Sequence, residues 1–432
     1  MRGRAGEFLT ADIALGLARA AVTLAPDSRP QVLIVRDTRE SGEMLEAAIA
    51  AGVTAAGGDA FLAGVLPTPA APLLVRRHGL GLAAVISASH NLYEDNGIKL
   101  FAADGFKLDD ETEHEIEREL ERQPRRPERI GGVRRLRGAL EDYVSELHSR
   151  FAELDLTGRR FVLDTANGAT YRAAPEIFRL LGADVDLIAD APDGRNINAG
   201  CGSTHLQAIA AAIARRDYDA GFAFDGDGDR VLALDRDGQV VDGDELIALA
   251  AVHMRDRGGL TGGGVVVTVM TNYGFHAAMR ELGIEVATTA VGDRYVLDEL
   301  RRRGWVLGGE QSGHIINLGL GPSGDGIASA LLALEALGDR DLRDRSAMHK
   351  LPQRLVNIRA SDRANLVAAM AHEAVQHAIA DADAALGGRG RVLVRASGTE
   401  PLIRVMVEAP SEQETDEVCA RLARVVESAL GG

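Results

Sequence analysis

Residues 160–189 read RFVLDTANGATYRAAPEIFRLLGADVDLIA, and this stretch decides the fold class. An apolar strand runs into a short polar turn and a helix, and a glycine with a nearby acid then leads into a second apolar strand. The same order recurs in residues 31–64 and 264–292. Strands that alternate with helices at this spacing predict βαβ units in parallel or mixed sheets, so we predict three related α/β domains in tandem.

The last part of the chain follows a different pattern. A helix predicted over residues 363–385 precedes the strand RVLVRAS, a loop, the strand LIRVMVEA and a final helix over residues 412–430. This order predicts a smaller C-terminal α+β domain. The charged and glycine-rich stretches between these segments place the predicted domains at residues 1–138, 139–240, 241–352 and 353–432.

The composition excludes several classes of protein. The chain has 48 basic and 64 acidic residues and a net charge of −16, which repels nucleic acid and anionic membranes. It contains no apolar stretch long enough for a membrane span, and Glu7, Asp12 and Arg19 interrupt any signal-peptide core. Cys201 and Cys419 lie far apart without ligand-type neighbours, which argues against a disulfide and a zinc site. We expect a cytoplasmic protein that binds neither nucleic acid nor membrane.

Lysine is rare in this chain. Of the 48 basic residues only three are lysines, namely Lys99, Lys107 and Lys350. Arginine cannot lose its proton in a protein, whereas lysine can. A lysine that is retained here is therefore a candidate for proton transfer.

The strongest local motif is FAFDGDGDR at residues 222–230, where Asp225, Asp227 and Asp229 alternate with glycines after an apolar strand. Carboxylates this close repel one another unless a cation neutralises them, and hard oxygen ligands suit Mg²⁺. A calcium-binding EF-hand does not fit, because Arg230 and Arg236 stand where that motif needs glycine and glutamate. The motif predicts a metal site, with a solvated acidic turn as the alternative.

A second motif is VISASHNLYEDNGIKLF at residues 85–101, in which an apolar run stops at Ser87 and Ser89. A serine beside a histidine at the end of a strand can be a nucleophile, a helix N-cap or a turn residue. Lys99, ten positions after Ser89, favours the nucleophile because of the lysine argument above.

A third motif is GWVLGGEQSGHIIN at residues 304–317, where Glu310, Ser312 and His314 alternate along a glycine-rich loop. Alternating donors and acceptors suit the vicinal hydroxyls of a sugar. A glycine-rich turn with a surface histidine is the alternative.

The fourth motif is VRASGTEPLIRVMVE at residues 394–408. Arginines, hydroxyls and free backbone N–H groups around a turn between two strands are what a phosphate dianion requires. The alternative is a charged hairpin turn.

Two further patterns are declined. GLGPSG at residues 319–324 matches a dinucleotide-binding motif but does not open a first βαβ unit. The chain contains no Gly-Lys dipeptide, which excludes a Walker A loop.

The four motifs, in this order and on three α/β repeats with a small tail domain, resemble the α-D-phosphohexomutase superfamily. SASHNLYEDNGIKLF, NINAGCGSTH, DGDGDR, VGDRYV, GGEQSGH and SGTEPLIRVMVE are all similar to its signatures and extend from Ser87 to Glu408. The resemblance implies four domains around a central active-site cleft, which carry in order the phosphoserine, metal, sugar and phosphate loops. It implies an isomerase that interconverts a sugar 6-phosphate and 1-phosphate through a phosphoserine and a bisphosphorylated sugar.

The resemblance also implies residue roles. The residues implied for phosphoryl and proton transfer and for charge stabilisation are Ser89, His90, Lys99, Arg230 and His314. One Mg²⁺ per active site would be held by phosphorylated Ser89, Asp225, Asp227 and Asp229. Glu310 and Ser312 would bind sugar hydroxyls. The phosphate that does not react would be held by Arg395, Ser397, Gly398, Thr399 and Arg404.

Within the superfamily the chain is most similar to the bacterial enzymes that act on glucosamine phosphates, since Gln311 stands where mannose and glucose enzymes more often carry methionine. The alternatives are a phosphomannomutase or phosphoglucomutase and, from another class, a non-catalytic phosphosugar-binding protein. The expected partner is a small phosphosugar, and the expected state is a monomer or homodimer.

Two positions depart from the family pattern. Leu92 replaces the proline that usually follows Ser-His-Asn. The family also begins with a strand and a Gly-Thr-Asp-Gly-Ile-Arg-Gly loop, whereas this sequence starts at Met1-Arg2-Gly3. Either the start codon is placed too late or the first sheet lacks an edge strand, and without that strand we expect an exposed sheet edge and no fixed geometry for Arg2.

Overall fold

The computed structural model describes residues 1–123, 127–397 and 401–431. The first α/β segment has strands β1 (Arg2–Arg4), β2 (Gln31–Arg36), β3 (Asp59–Val65), β4 (Leu82–Ile86), β5 (Asp95–Ala102) and β6 (Val133–Arg135), and helices α1 (Ala11–Leu24), α2 (Ser41–Ala55), α3 (Ala70–His78) and α4 (Asp110–Leu120). The strand order is β1-β5-β4-β2-β3-β6. The sheet is mixed, because β2 is parallel to β3 and β4 whereas β5 is antiparallel to β4 and β1.

The second segment has helices α5 (Ala139–Arg150), α6 (Ala173–Leu180) and α7 (Gln207–Ile213), and strands β7 (Arg160–Asp164), β8 (Asp184–Ile188), β9 (Ala220–Phe224), β10 (Val231–Asp235) and β11 (Val240–Val241). The strand order is β11-β10-β9-β7-β8. β7 is parallel to β8 and β9, and β10 is antiparallel to β9, so this sheet is mixed as well.

The third segment has helices α8 (Gly243–Asp256), α9 (Tyr273–Glu281), α10 (Asp293–Arg303) and α11 (Gly326–Leu337), and strands β12 (Gly264–Thr268), β13 (Glu285–Thr289), β14 (Leu307–Gly309) and β15 (Ile315–Asn317). The strand order is β13-β12-β14-β15, and a short 3₁₀ helix follows at Leu342–Asp344. Asp242 caps α8 in a capping box with Glu245.

The C-terminal segment has strands β16 (Gln353–Arg359), β17 (Arg391–Ala396) and β18 (Leu402–Glu408), and helices α12 (Arg363–Ala371), α13 (Glu373–Leu386) and α14 (Glu412–Gly431). Its sheet is antiparallel in the order β16-β18-β17. Three mixed α/β sheets followed by a small α+β sheet confirm the predicted fold class.

The chain divides into two compact units. The first comprises residues 1–269 and 287–345, and the second comprises residues 270–286 and 346–432. In the second unit Glu408 accepts hydrogen bonds from the backbone N–H of Tyr273 and from the Arg391 guanidinium, which ties α9 to the C-terminal sheet. The four domain limits drawn from the sequence stay a prediction. Among the described residues no helix is both long and apolar enough to span a membrane.

The structure corrects the expectation for the first residues. β1 forms the edge strand that was expected to be absent, because Arg2, Gly3 and Arg4 pair with β5. The Met1 amino group also donates to the carbonyl of Ile98, and the Met1 carbonyl accepts from the Ile98 N–H. The backbone of Arg2 is therefore fixed between these contacts.

The helix predicted over residues 363–385 is in fact two helices, α12 and α13. His372 separates them in an extended conformation, with φ −66° and ψ 130°. Its ring Nδ1 accepts the N–H of Ala374 at 3.2 Å and so caps α13. The apolar periodicity continues across the break, which is why the sequence pattern did not reveal it.

A buried contact anchors α11 beside the aspartate loop at residues 225–229. Asp325 caps α11 by accepting the N–H of Ala328 at 2.9 Å, and its carboxylate accepts the Tyr143 hydroxyl of α5 at 2.9 and 3.0 Å. The next residue, Gly326, donates its N–H to the carbonyl of Gly228 in the aspartate loop. Burial raises the pKa of Asp325 to about 6, although the hydrogen bonds from Ala328 and Tyr143 act to lower it.

This pKa predicts a pH dependence of stability. The folded state binds the Asp325 proton more tightly than the unfolded state. Protonated Asp325 therefore contributes to the free energy of unfolding in full below pH 4, and this contribution is lost as the pH rises towards and through 6. Asp325→Asn removes this dependence, so its stability relative to the wild type should increase by about 1–2 kcal/mol between pH 4 and pH 7. Melting temperatures of both proteins across this range measure the effect. A constant difference in melting temperature would contradict the prediction.

Candidate active site

Three aspartates follow β9 in a tight loop. Asp225, Asp227 and Asp229 are buried, and one carboxylate oxygen from each lies within 4.8 Å of those of the other two. The glycines between them are required by the close packing. A Cβ atom at Gly226 would lie 2.6 Å from the carbonyl oxygen of Ser89, and one at Gly228 would lie 2.4 Å from a methyl group.

The aspartate loop fits a divalent cation. Asp227 Oδ1 and Asp229 Oδ1 are buried oxygens that have no hydrogen-bond partner among the described residues. Burial raises the pKa of Asp225 well above its usual range, and the nearby charges of Asp229 and Asp227 raise it further. Unpartnered carboxylate oxygens in a site with excess negative charge are the donors that a hard cation takes.

Ser89 reaches this loop from the end of β4. Its backbone adopts a left-handed conformation with φ 53°, which is uncommon for a residue other than glycine. The Ser89 hydroxyl donates to Asp225 Oδ2 at 2.6 Å, and His90 Nδ1 lies 3.3 Å from the same hydroxyl. The structure thus joins the serine motif and the aspartate motif into one site.

Lys99 lies on β5 and faces two of the aspartates. Its ammonium donates to Asp227 Oδ2 at 2.7 Å and to Asp229 Oδ2 at 3.3 Å. Burial acts to lower the pKa of Lys99, but the carboxylates of Asp227 and Asp229 raise it above its usual value. Lys99 therefore holds its proton beside these carboxylates, and the role in proton transfer that we drew from the scarcity of lysine stays a prediction.

Arg230 and His314 complete the cluster. The backbone N–H of Arg230 donates to Asp225 Oδ1 at 3.1 Å, and its guanidinium lies 3.8 Å from Asp229 Oδ1. His314 is buried, and its ring lies between two carboxylates, with Nδ1 at 3.5 Å from Asp229 Oδ1 and Nε2 at 3.9 Å from Asp293 Oδ2. Each ring nitrogen of His314 therefore faces a carboxylate at a distance longer than a normal hydrogen bond.

The sugar motif is divided between buried and exposed side chains. Glu310 is buried, and its carboxylate accepts the N–H of Gly292 at 2.9 Å. Ser312 is exposed. Gln311 donates its amide N–H to Asp242 Oδ2 at 3.2 Å. The loop lies next to the aspartates, because the backbones of Arg230 and His314 form a β-bridge.

The phosphate motif lies in the second compact unit. Arg395 on β17 and Arg404 on β18 are direct register partners, and Ser397 donates its N–H to the carbonyl of Leu402 at 2.9 Å. Gly398 and Thr399 lie outside the described residues. The Nε atom of Arg404 is buried without a hydrogen-bond partner in the described part of the chain.

Several residues at the site carried no predicted role. Asp293 forms an ion pair with Lys107, and although burial acts to raise the pKa of Asp293, Lys107 and His314 lower it to about 2. The scarcity of lysine could have identified Lys107. Thr68 donates its hydroxyl to Asp227 Oδ2 at 2.7 Å and carried no sequence signal.

Comparison with known proteins gives consistent results. Residues 1–126, 141–238, 242–355 and 355–425 match, in this order, domains I, II and III and the C-terminal domain described as phosphoglucomutase/phosphomannomutase. The chain is 49% identical to phosphoglucosamine mutase of Moorella thermoacetica over 98% of this chain and 97% of that protein. It is 48% identical to phosphoglucosamine mutase of Saccharopolyspora erythraea over 99% of this chain and 97% of that protein.

Solved structures share the fold at lower identity. A phosphoglucomutase/phosphomannomutase family protein from Burkholderia thailandensis superimposes with a TM-score of 0.82 at 24% identity, covering 100% of this chain and 96% of that one. N-acetylphosphoglucosamine mutase of Aspergillus fumigatus, solved with GlcNAc-6P and magnesium, gives a TM-score of 0.67 at 19% identity, covering 99% and 94%.

The aspartate cluster yields a test of cation binding. Asp227→Asn removes one of the charges that balance a divalent cation, so we expect the affinity for Mg²⁺ or Mn²⁺ to fall by about 10-fold or more. Isothermal titration calorimetry measures this. Asp186→Asn is the control, because Asp186 lies in the same segment but pairs with Arg216 and Tyr218. Equal affinities in the two variants would rule out the aspartate loop as the cation site.

Proposed function

Because the chain belongs to the phosphoglucomutase/phosphomannomutase family, we propose that it interconverts glucosamine 6-phosphate and glucosamine 1-phosphate. It is an isomerase of the phosphohexomutase type, in agreement with the resemblance read from the sequence. One observation carries the chemistry: the Ser89 hydroxyl donates to Asp225 within a cluster of three buried carboxylates. The choice of amino sugar rests on relatives that are 46–49% identical over nearly the whole chain and are named phosphoglucosamine mutase.

Ser89 is the residue that we assign to carry the phosphoryl group. The bond between Ser89 Oγ and phosphorus breaks as a sugar hydroxyl oxygen bonds to phosphorus, and the proton of that hydroxyl passes to a base. The bisphosphorylated sugar then returns its other phosphate to Ser89. His90 is the candidate acid by geometry, since its Nδ1 lies 3.3 Å from Ser89 Oγ and can give a proton to that oxygen as its bond to phosphorus breaks, and take it back when Ser89 is phosphorylated again.

The charged side chains align and neutralise the transferring group. Asp225, Asp227 and Asp229 would hold one Mg²⁺, which supplies a positive charge for the phosphoryl oxygens. Arg230 is half-buried, with its guanidinium 3.8 Å from Asp229 Oδ1, and Lys99 balances the aspartates from β5. His314, fixed by Asp229 and Asp293, is assigned to charge stabilisation.

Recognition of the substrate is assigned to two loops. Glu310 and Ser312 bind sugar hydroxyls, and Gln311 selects the amino sugar. The phosphate that does not react is held by Arg395, Ser397, Gly398, Thr399 and Arg404. The paired arginines of β17 and β18 support this assignment, because two guanidinium groups on adjacent strands can bind one phosphate. The cytoplasmic location and the monomeric or homodimeric state stay predictions from the sequence.

Ser89→Ala should abolish mutase turnover, because no hydroxyl remains to carry the phosphoryl group. The measurement is a coupled assay on glucosamine 6-phosphate together with intact mass, which should show one phosphate on the wild type and none on the variant. Ser145→Ala, on the exposed face of α5, is the control. Wild-type turnover in Ser89→Ala would end the phosphoserine proposal, and greater activity on mannose or glucose phosphates would replace the amino-sugar substrate.

Lys99→Arg keeps the positive charge but cannot release a proton and does not fit the same two contacts. We expect kcat to fall by about 100-fold, in line with the loss of an acid–base or positioning group. Lys350→Arg is the matched control, since Lys350 is a lysine outside the proposed site. If both variants keep full activity, Lys99 contributes only its charge.

A further inference from the structure

The guanidinium of Arg39 is completely buried beneath the loop that carries Ser89. Its side chain is 0% exposed and forms an ion pair with Asp37 at 2.8 Å. The remaining N–H groups donate to backbone carbonyls of a single segment, those of Ser89, Asn91, Leu92 and Asp95. Apart from its pair with Asp37, every hydrogen bond that the described residues give the Arg39 guanidinium is therefore to the segment from Ser89 to Asp95.

The same ion pair also holds the N–H side of Ser89. Asp37 Oδ2 accepts the hydroxyl of Ser87 at 2.6 Å, and the Ser87 oxygen accepts the backbone N–H of Ser89 at 2.9 Å. The carbonyl of Ser89 accepts from Arg39 Nη2 at 2.9 Å. Both backbone polar groups of Ser89 are thus fixed by one buried network.

A second residue holds the Ser89 carbonyl from the next α/β segment. Asn198 belongs to the NINAGCGSTH motif, which received no role from the sequence. Its Nδ2 donates to the carbonyls of Ser89 and Asn91, each at 2.9 Å. Asn198 is buried and has a left-handed backbone with φ 58°.

This network opposes a local strain. Ser89 has φ 53°, a left-handed conformation that is strained for a residue with a side chain. Burying an ion pair is itself a weak source of stability, because desolvation offsets most of the attraction. The network acts by orienting Ser89: it fixes the Ser89 backbone in the conformation that directs Oγ to Asp225 at 2.6 Å.

We propose that Arg39 and Asn198 are positioning residues that clamp the backbone of Ser89 and so align its hydroxyl, or its phosphate, with the aspartate cluster. The proposal rests on the proposed function, because it assumes that Ser89 is the group that reacts. Neither residue touches the reacting atoms; both act through the serine backbone.

Asn198→Gly gives the clearest test, because glycine accepts the left-handed backbone and only the two side-chain hydrogen bonds are lost. We expect kcat to fall by about 10- to 100-fold, as misalignment does in transfer reactions, with KM changed by less than about 3-fold. Asn167→Gly is the matched control. Asn167 also has a left-handed backbone, with φ 47°, but its amide bonds to the carbonyl of Asn196 and not to the serine loop.

Arg39→Lys is the second variant, because lysine keeps the pair with Asp37 but cannot span four carbonyls. Where it folds, it should show the same loss of kcat at constant KM. If it fails to fold, Asn198→Gly decides alone. The proposal is overturned if Asn198→Gly keeps wild-type kcat, or if Asn167→Gly loses kcat to the same extent.

The two proposals can fail separately. Wild-type turnover of glucosamine 6-phosphate tests the proposed function, whereas intact mass follows the rate at which the dephosphorylated form of each variant gains phosphate at Ser89 from glucose 1,6-bisphosphate, which leaves as a glucose monophosphate. A wild type that gains phosphate at Ser89 but does not turn over the amino sugar would refute the substrate only. A clamp variant that exchanges phosphate as fast as the wild type would refute the clamp only.

Discussion

The mutual repulsion of three buried carboxylates is the constraint on which the rest of the site depends. Asp225, Asp227 and Asp229 follow a strand that ends in the protein interior, so solvent cannot screen them. The ammonium of Lys99, on β5 of the first α/β segment, pairs with two of these carboxylates. The first two segments are therefore joined by a charge balance at the candidate active site. The proposed divalent cation would complete this balance.

The glycines of the aspartate loop serve the same constraint in steric terms. Gly226 lies so close to the Ser89 carbonyl and the Asn198 amide that no side chain fits between them. The carbonyl of Ser89 is thus enclosed by Arg39, Asn198 and the aspartate loop. The Ser89 backbone is contacted from three directions, by the side chains of Arg39 and Asn198 and by the aspartate loop. Because protein interiors are packed closely and respond to changes of a single methylene, these contacts leave the serine backbone little freedom.

Sequence reasoning succeeded where the signal was local and failed where it was tertiary. The Asp-Gly-Asp-Gly-Asp motif predicts a metal site without any tertiary information, because the repulsion arises between residues two positions apart. Arg39 and Asn198 could not be found in this way, since the carbonyls that they bind lie 50 or more positions away in the chain. The edge strand of Arg2–Arg4 was expected to be absent because the family's opening strand and loop do not precede Met1, and three residues carry no periodicity that could have revealed it. The arginines of the phosphate motif were proposed from residue type alone, and their role stays a prediction.

The geometry around His314 gives a physical reason for lysine, in place of arginine, at positions 99 and 107. Lys99, Asp229, His314, Asp293 and Lys107 form a row in which each acid lies between His314 and a lysine. Each acid of this row shares its charge between the imidazole and a lysine. A planar guanidinium tends to bind both oxygens of a carboxylate, whereas an ammonium binds as a point charge and leaves the second oxygen free. At Asp229 the lysine contacts Oδ2 and leaves Oδ1 facing His314 Nδ1, whereas at Asp293 Lys107 and His314 Nε2 both approach Oδ2. A compact ammonium can share a carboxylate with the imidazole in both ways, whereas a guanidinium that takes both oxygens leaves less room, which favours lysine at these two positions.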